Sequence, residues 1–158
     1  MRIERVVVNA SPLICLSKSG FSYLLPSLFT EIVVPEKVYQ EVLAKGEIDL
    51  SLIKQLRQVG NIVIPLSIAS WDLGEGESAV LAFALKNPEF WAVIDDREGR
   101  RCAVSLGCPH TGTVGMILLA KRRGIIKSVR ESLIKLQNAG LWLSESFIKE
   151  VCRKAKEE

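Results

Sequence analysis

The chain has 158 residues, 48% of them hydrophobic, with 21 basic against 18 acidic side chains. That length and apolar content suit one domain, residues 1–158, burying roughly 70% of its unfolded surface, and the formal net charge of +3 permits a nucleic-acid partner without announcing one. No apolar run reaches bilayer-spanning length and the few apolar residues before Asn9 are too short for a secretion signal, so a cytoplasmic protein is expected.

In chain order, Val6-Val7-Val8 closed by Asn9 reads as a β-strand, and Ser11-Pro12 as the cap and first position of a helix running to Ser19, stopped by Gly20. A second apolar segment, Phe21 to Phe29, precedes a strand from Glu31 to Val34. Pro35 opens a helix whose stripe is Val38, Tyr39, Val42 and Leu43, with Glu41 beside it. The spacing of Leu52, Ile53 and Leu56 predicts a helix over Asp49 to Gln58, followed by Ile62-Val63-Ile64-Pro65 as a brief strand or extended edge segment. Leu73 to Ser78 leads into a helix ended by Asn87-Pro88, with Glu77 in its first turn.

Trp91 to Ile94 is a short continuous apolar run, the signature of a buried parallel strand, and it ends in Asp95-Asp96. A helix from Arg97 to Ser105, a short strand over Gly107 to His110, and a helix from Thr111-Gly112-Thr113 to Arg123 follow. Ser128 to Ala139 and Ser144 to Lys156 are helical by period. Strands alternating with helices imply an α/β fold, a three-layer α/β/α sandwich on a mainly parallel sheet.

The chemistry is narrowed by what is missing. Cys15, Cys102, Cys108 and Cys152 form no C-x-x-C pair and His110 is the lone histidine, which argues against a zinc site and a histidine-based dyad. The turn after the first strand lacks the glycine fingerprint of dinucleotide binding, and Gly74-Glu75-Gly76-Glu77 lacks a phosphate-binding lysine; its glycines read as flexibility at a helix entry. What remains at strand ends and helix starts is Asn9, Glu41, Glu77, Asp95 and Asp96, all oxygen donors. One aspartate suffices to cap the helix at Arg97, so the adjacent pair leaves one carboxylate over. Two carboxylates about 5 Å apart repel by roughly 3 kcal/mol at an effective dielectric near 20, so such a cluster calls for a cation or a shared proton. Oxygen donors without thiolate or imidazole favour Mg²⁺ or Mn²⁺, whose chemistry on phosphoryl groups is that of nucleases.

Val7-Val8-Asn9-Ala10-Ser11-Pro12, Gly74 to Val80, Ile94-Asp95-Asp96-Arg97 and Thr111 to Gly115, in that order and spacing, resemble the PIN domain superfamily over residues 3 to 150, nearest to a VapC-like prokaryotic branch. The resemblance implies a Mg²⁺- or Mn²⁺-dependent endoribonuclease of the VapC toxin type. Asn9, Glu41, Glu77 and Asp96 would be catalytic, with Asp95 as a further metal ligand. Asn9 stands where the family has an aspartate and offers a neutral amide oxygen. Ser11 and Thr113 resemble the small hydroxyl residues lining the site, and Arg97 and Arg100 are expected to contact RNA phosphates. Lys121-Arg122-Arg123 more naturally complements a helix C-terminus. The resemblance also implies a homodimer and a small antitoxin partner, for which Phe21 to Phe29 would be a surface unless it is core. The rival readings are an inactive RNA- or partner-binding module, which Asn9 suggests, and a metal-dependent phosphatase or nucleotide hydrolase.

Overall fold

Three consecutive valines, each fully buried as a parallel strand covered on both faces requires, make β1 (Arg5–Val8) the axis of the sheet. The computed structural model describes residues 3–46 and 48–157, so the two ends of the expected 1–158 domain lie outside the described residues. β2 (Glu31–Pro35) pairs in parallel on one side of β1, in the register Val6 to Ile32. β4 (Trp91–Val93) pairs on the other, with Val8 opposite Val93. β3 (Arg57–Val59) and β5 (His110–Thr111) extend the two flanks, giving the parallel order β3-β2-β1-β4-β5. The chain runs outward through β2 to β3 and then returns to the far side of β1. Strand direction of travel therefore reverses between β1 and β4, and at such a switch point a crevice opens beyond the carboxyl ends of the strands. Asn9 follows β1 directly, and its N–H donates to the Val93 carbonyl at 3.1 Å, so it lies beside the Asp95-Asp96 pair that follows β4.

Helices cover the sheet in two groups, making the expected three-layer α/β/α sandwich. α6 (Glu75–Lys86), apolar nearly all round, lies across β1, β2 and β4. α3 (Glu36–Lys45), α5 (Leu66–Ala69) and α7 (Arg97–Leu106) flank it. α1 (Ala10–Ser19) packs with α8 (Thr113–Arg122) and α9 (Val129–Asn138), and α10 (Glu145–Lys154) closes on α9. α2 (Leu24–Leu28) sits against β2 and α8. Among the described residues no helix is long and apolar enough to cross a membrane.

Three sequence expectations are corrected and one left open is decided. α1 begins at Ala10, so Pro12 occupies its first turn, where the missing N–H has no intrahelical acceptor to serve, and Ser11 is an exposed first-turn residue rather than the cap. The helix expected over residues 49–58 stops after α4 (Leu50–Ile53), and β3 forms where its second half was expected. Pairing of Val33 with Arg57 overrides the local period there, and Arg57 bridges to Glu31 at 2.7 Å. Asn61, in the left-handed region at φ 55°, turns the chain out of the sheet, so Ile62 to Ile64 form no strand. Of the two readings left open for Phe21 to Phe29, Phe21, Leu24, Leu25, Leu28 and Phe29 take the core one, because α2 turns them inward against β2 and α8, while Tyr23 is exposed.

Candidate active site

The switch-point crevice is a cleft of about 410 Å³ lined by Asn9, Ser11, Glu41, Gly74, Gly76, Glu77, Asp95 and Asp96. All five expected oxygen-donor residues border it, delivered by the ends of β1 and β4 and by α3 and α6.

Asp96 is the N-cap of α7: its Oδ2 accepts from the Gly99 N–H at 3.0 Å, while the exposed remainder of the carboxylate faces the cleft. Asp95 is occupied differently. Its Oδ1 accepts from the Thr113 N–H at 2.7 Å and its Oδ2 from the Thr113 hydroxyl at 2.6 Å, so it ties the end of β4 to the start of α8. Thr113 is 0% exposed. Buried and bound to Asp95, its hydroxyl holds the site's framework and is not a substrate contact, which corrects the sequence expectation. Two carboxylates in sequence thus divide into one anchored in the structure and one turned to the cleft.

Glu77 is the focus of the electrostatics. Burial, the neighbouring Asp96 charge, a hydrogen bond with Asp96 and the charge of Glu41 together raise its carboxyl from 4.5 to about 7. Its Oε1 is buried with no hydrogen-bond partner, the one such side-chain atom among the described residues. A buried acceptor without a donor costs of order 1–3 kcal/mol, so its retention demands a partner from outside the chain or a proton. Asn9, 8% exposed, caps α1 by backbone only; its carboxamide makes no capping bond.

Two glycines make this crowding possible, and sequence reasoning assigned neither a role of this kind. A Cβ at Gly76 would come within 3.1 Å of Val38 Cγ2, with Glu41 Oε1 and Asn9 Oδ1 at 3.4 and 3.7 Å, so Gly76 lets α6 pack closely on α3 beside both and is not merely a flexible helix entry. A Cβ at Gly99 would come within 2.9 Å of Glu77 Oε1. The available signal was a glycine inside the amphipathic α7, a position that costs about 1 kcal/mol relative to alanine and therefore implies a packing reason.

The donor set is oxygen throughout, as a hard divalent cation requires, and a cation would answer the orphaned Oε1 together with the repulsion among Glu77, Asp96 and Glu41. The residues present fit such an ion. Among the described residues no three His, Cys, Asp or Glu side chains are gathered as a ready cluster, and Glu41 Oε2 is turned towards Lys45, 3.8 Å away. Like charges with nothing between them spread apart, so Glu41 would have to swing inward to complete the set.

The remaining polar groups divide cleanly. Arg97 is exposed beside Asp96, and Arg100 lines a neighbouring groove. Arg101 pairs with Glu98 at 3.0 Å. Lys121 pairs with Glu157 at 3.1 Å, and the Arg123 guanidinium donates to the Leu28 and Ile3 carbonyls at 2.5 and 3.1 Å, so both serve structure. His110 Nδ1 lies 3.1 Å from the Cys108 carbonyl and is not part of the cleft. The cysteines are all buried and unbridged; burial, then the Asp95 charge, pushes the Cys15 thiol up to about 11, so it stays protonated and is no nucleophile.

The chain matches no curated protein. An open parallel sheet with acids converging at its switch point is a nuclease-type arrangement, and the family model DUF3368, described as a PIN domain, matches residues 5–157. The chain belongs to that PIN-domain family.

Proposed function

We propose that the protein is a Mg²⁺- or Mn²⁺-dependent endoribonuclease of the VapC type. The observation that carries the reading is the buried, unpartnered Oε1 of Glu77, whose carboxyl interacts with Asp96, at the switch point of a PIN fold. Glu77 and Asp96, with Glu41 swung inward and Asn9 as a neutral oxygen, would hold the ion; when bound it supplies a polarised phosphoryl oxygen and a water of lowered pKa. Asp95 acts through Thr113 to keep α8 and the end of β4 in place. Near neutral pH the Glu77 carboxyl retains its proton on part of the molecules, shared towards Asp96, and would give it up on holding the ion. Arg97 and Arg100, exposed on α7, would bind phosphates flanking the reacting one, with the Ser11 hydroxyl lining the cleft itself.

A polymeric substrate is favoured over a free nucleotide because the cleft is not closed. Ser11 and Glu41 are shared with a second depression towards Lys18 and Lys45, and Asp95 with a third towards Arg100, so three hollows adjoin along one surface. A small antitoxin and a homodimer follow from the VapC-type reading. Asn9 favours one alternative, a binding module without turnover, since a neutral ligand holds Mg²⁺ less firmly.

The test is cleavage of single-stranded RNA, beside mononucleotide substrates, by the wild type, Asp96→Asn and the wild type in excess chelator. Magnesium-dependent RNA cleavage lost in both controls is expected. Cleavage that persists in Asp96→Asn or in chelator would place the chemistry elsewhere, and magnesium binding without cleavage would leave the binding module.

A further inference from the structure

The groove beside the acidic cleft carries a chemistry the cleft does not. Trp142, in the turn between α9 and α10, is 82% exposed, and Phe147, in the first turn of α10, is 43% exposed. Both line a hollow of about 520 Å³ together with Arg100, His110 and Lys154. Neither aromatic has a ring partner among the described residues, and neither Arg100 nor Lys154 has an ion-pair partner there. Asp95 is the one acid lining the hollow among the described residues, and both its oxygens already accept hydrogen bonds from Thr113. The groove is therefore positive and aromatic where the cleft is negative and polar. It joins the cleft at Asp95, which lines both.

We infer that this groove is a nucleobase-stacking subsite for single-stranded RNA, with Trp142 as the platform and Arg100 and Lys154 on the adjoining phosphates. An exposed indole offers a flat apolar face that any unpaired base can cover, and cations without carboxylate partners suit a phosphodiester backbone. A duplex keeps its bases stacked inside and cannot use such a platform. The subsite fixes the class of RNA that reaches the acids as unpaired, with a base splayed out beside the scissile phosphate. This rests on the reading that the cleft acts on RNA, and it adds where the strand is gripped.

The experiment measures binding of a short single-stranded oligoribonucleotide and of a duplex of the same sequence, in excess chelator so that nothing is cut. Trp142→Ala should weaken single-strand binding by about 5- to 150-fold, the range of one lost base stack, while Trp142→Phe retains most of it. Arg100→Ala and Lys154→Ala should each lower the slope of log affinity against log salt by about one. Single-strand binding equal in wild type and Trp142→Ala, or wild-type affinity no better for single strand than for duplex, overturns the subsite. So does a loss of self-association in Trp142→Ala with RNA binding unchanged, which would make the groove an interface between copies of this chain. A wild type that binds neither RNA overturns the subsite and the ribonuclease reading together. Magnesium-dependent cleavage in the wild type with Trp142→Ala indistinguishable leaves that reading standing and removes the subsite. The Trp142 effect without any cleavage does the reverse.

Discussion

Replacing Glu77 by glutamine keeps shape and volume and removes only the charge, so it isolates what the acidic cluster costs the fold. In the folded chain, burial and then the charges of Asp96 and Glu41 raise the Glu77 carboxyl from 4.5 to about 7. The native state therefore holds a proton that the unfolded chain releases near 4.5, and the stability this contributes is fully present below that pH and lost as pH rises through about 7. At about 1.4 kcal/mol for a tenfold change in proton affinity, the displacement sets an upper bound of roughly 3 kcal/mol, and solvent screening on the open side of the cleft reduces it to about 1–2 kcal/mol. Glu77→Gln should match the wild type near pH 4 and, in chelator, exceed it by about 1–2 kcal/mol at pH 8, since the amide can also donate towards Asp96. Urea unfolding of both proteins across pH 4 to 8 reads this directly. The same variant should lose magnesium-dependent stabilisation and RNA cleavage, because the ion competes with the proton for the lost carboxylate. A variant destabilised equally at every pH, or a stability difference that does not change between pH 4 and 8, would refute the claim that Glu77 is a charge held against its environment.

Further substitutions separate the roles of the neighbouring groups. Asn9→Asp should lower stability in chelator by about 1 kcal/mol through one more like charge yet bind Mg²⁺ more tightly by calorimetric titration; unchanged affinity would mean Asn9 does not face the ion. Asp95→Asn strands one of the two Thr113 donors and should cost about 1–3 kcal/mol in thermal unfolding, against a smaller loss for the exposed Asp96→Asn; the reverse order would overturn the division between anchor and cleft carboxylate. Gly99→Ala drives a methyl group to within 2.9 Å of both Glu77 Oε1 and Ile94 Cγ2 and should cost about 1–3 kcal/mol, whereas Gly74→Ala, with open space around it, should be nearly neutral. Equal melting temperatures for those two glycine variants would show that α7 can shift to make room.

Local chemistry carried much of this protein in its sequence. The valine run of β1, the apolar run of β4 ending at Asp95-Asp96, and the helix periods around Val38 and Val80 each depend on neighbours a few positions away, and each forms where those neighbours dictate. The alternation of these elements implies a parallel sheet, and a parallel sheet whose travel reverses beside β1 obliges Asn9 and the aspartates to meet. What the sequence left undecided depends on residues distant along the chain. Arg57 and Gln58 lie within a helical period yet join an edge strand because β2 offers it a ladder, and Phe21, Leu24, Leu25, Leu28 and Phe29 are core because β2 and α8 lie over them. Asp95 and Asp96 are chemically identical in the sequence; only the arrival of Thr113, 18 positions on, commits the first to structure and leaves the second for chemistry. Glu77 likewise reads as an ordinary first-turn acid until Asp96, Glu41 and the bare face of Gly99 close around it. Periodicity and capping are set by covalent neighbours, whereas desolvation and the sharing of a proton or an ion are properties of a place in space, which exists only after the sheet has assembled.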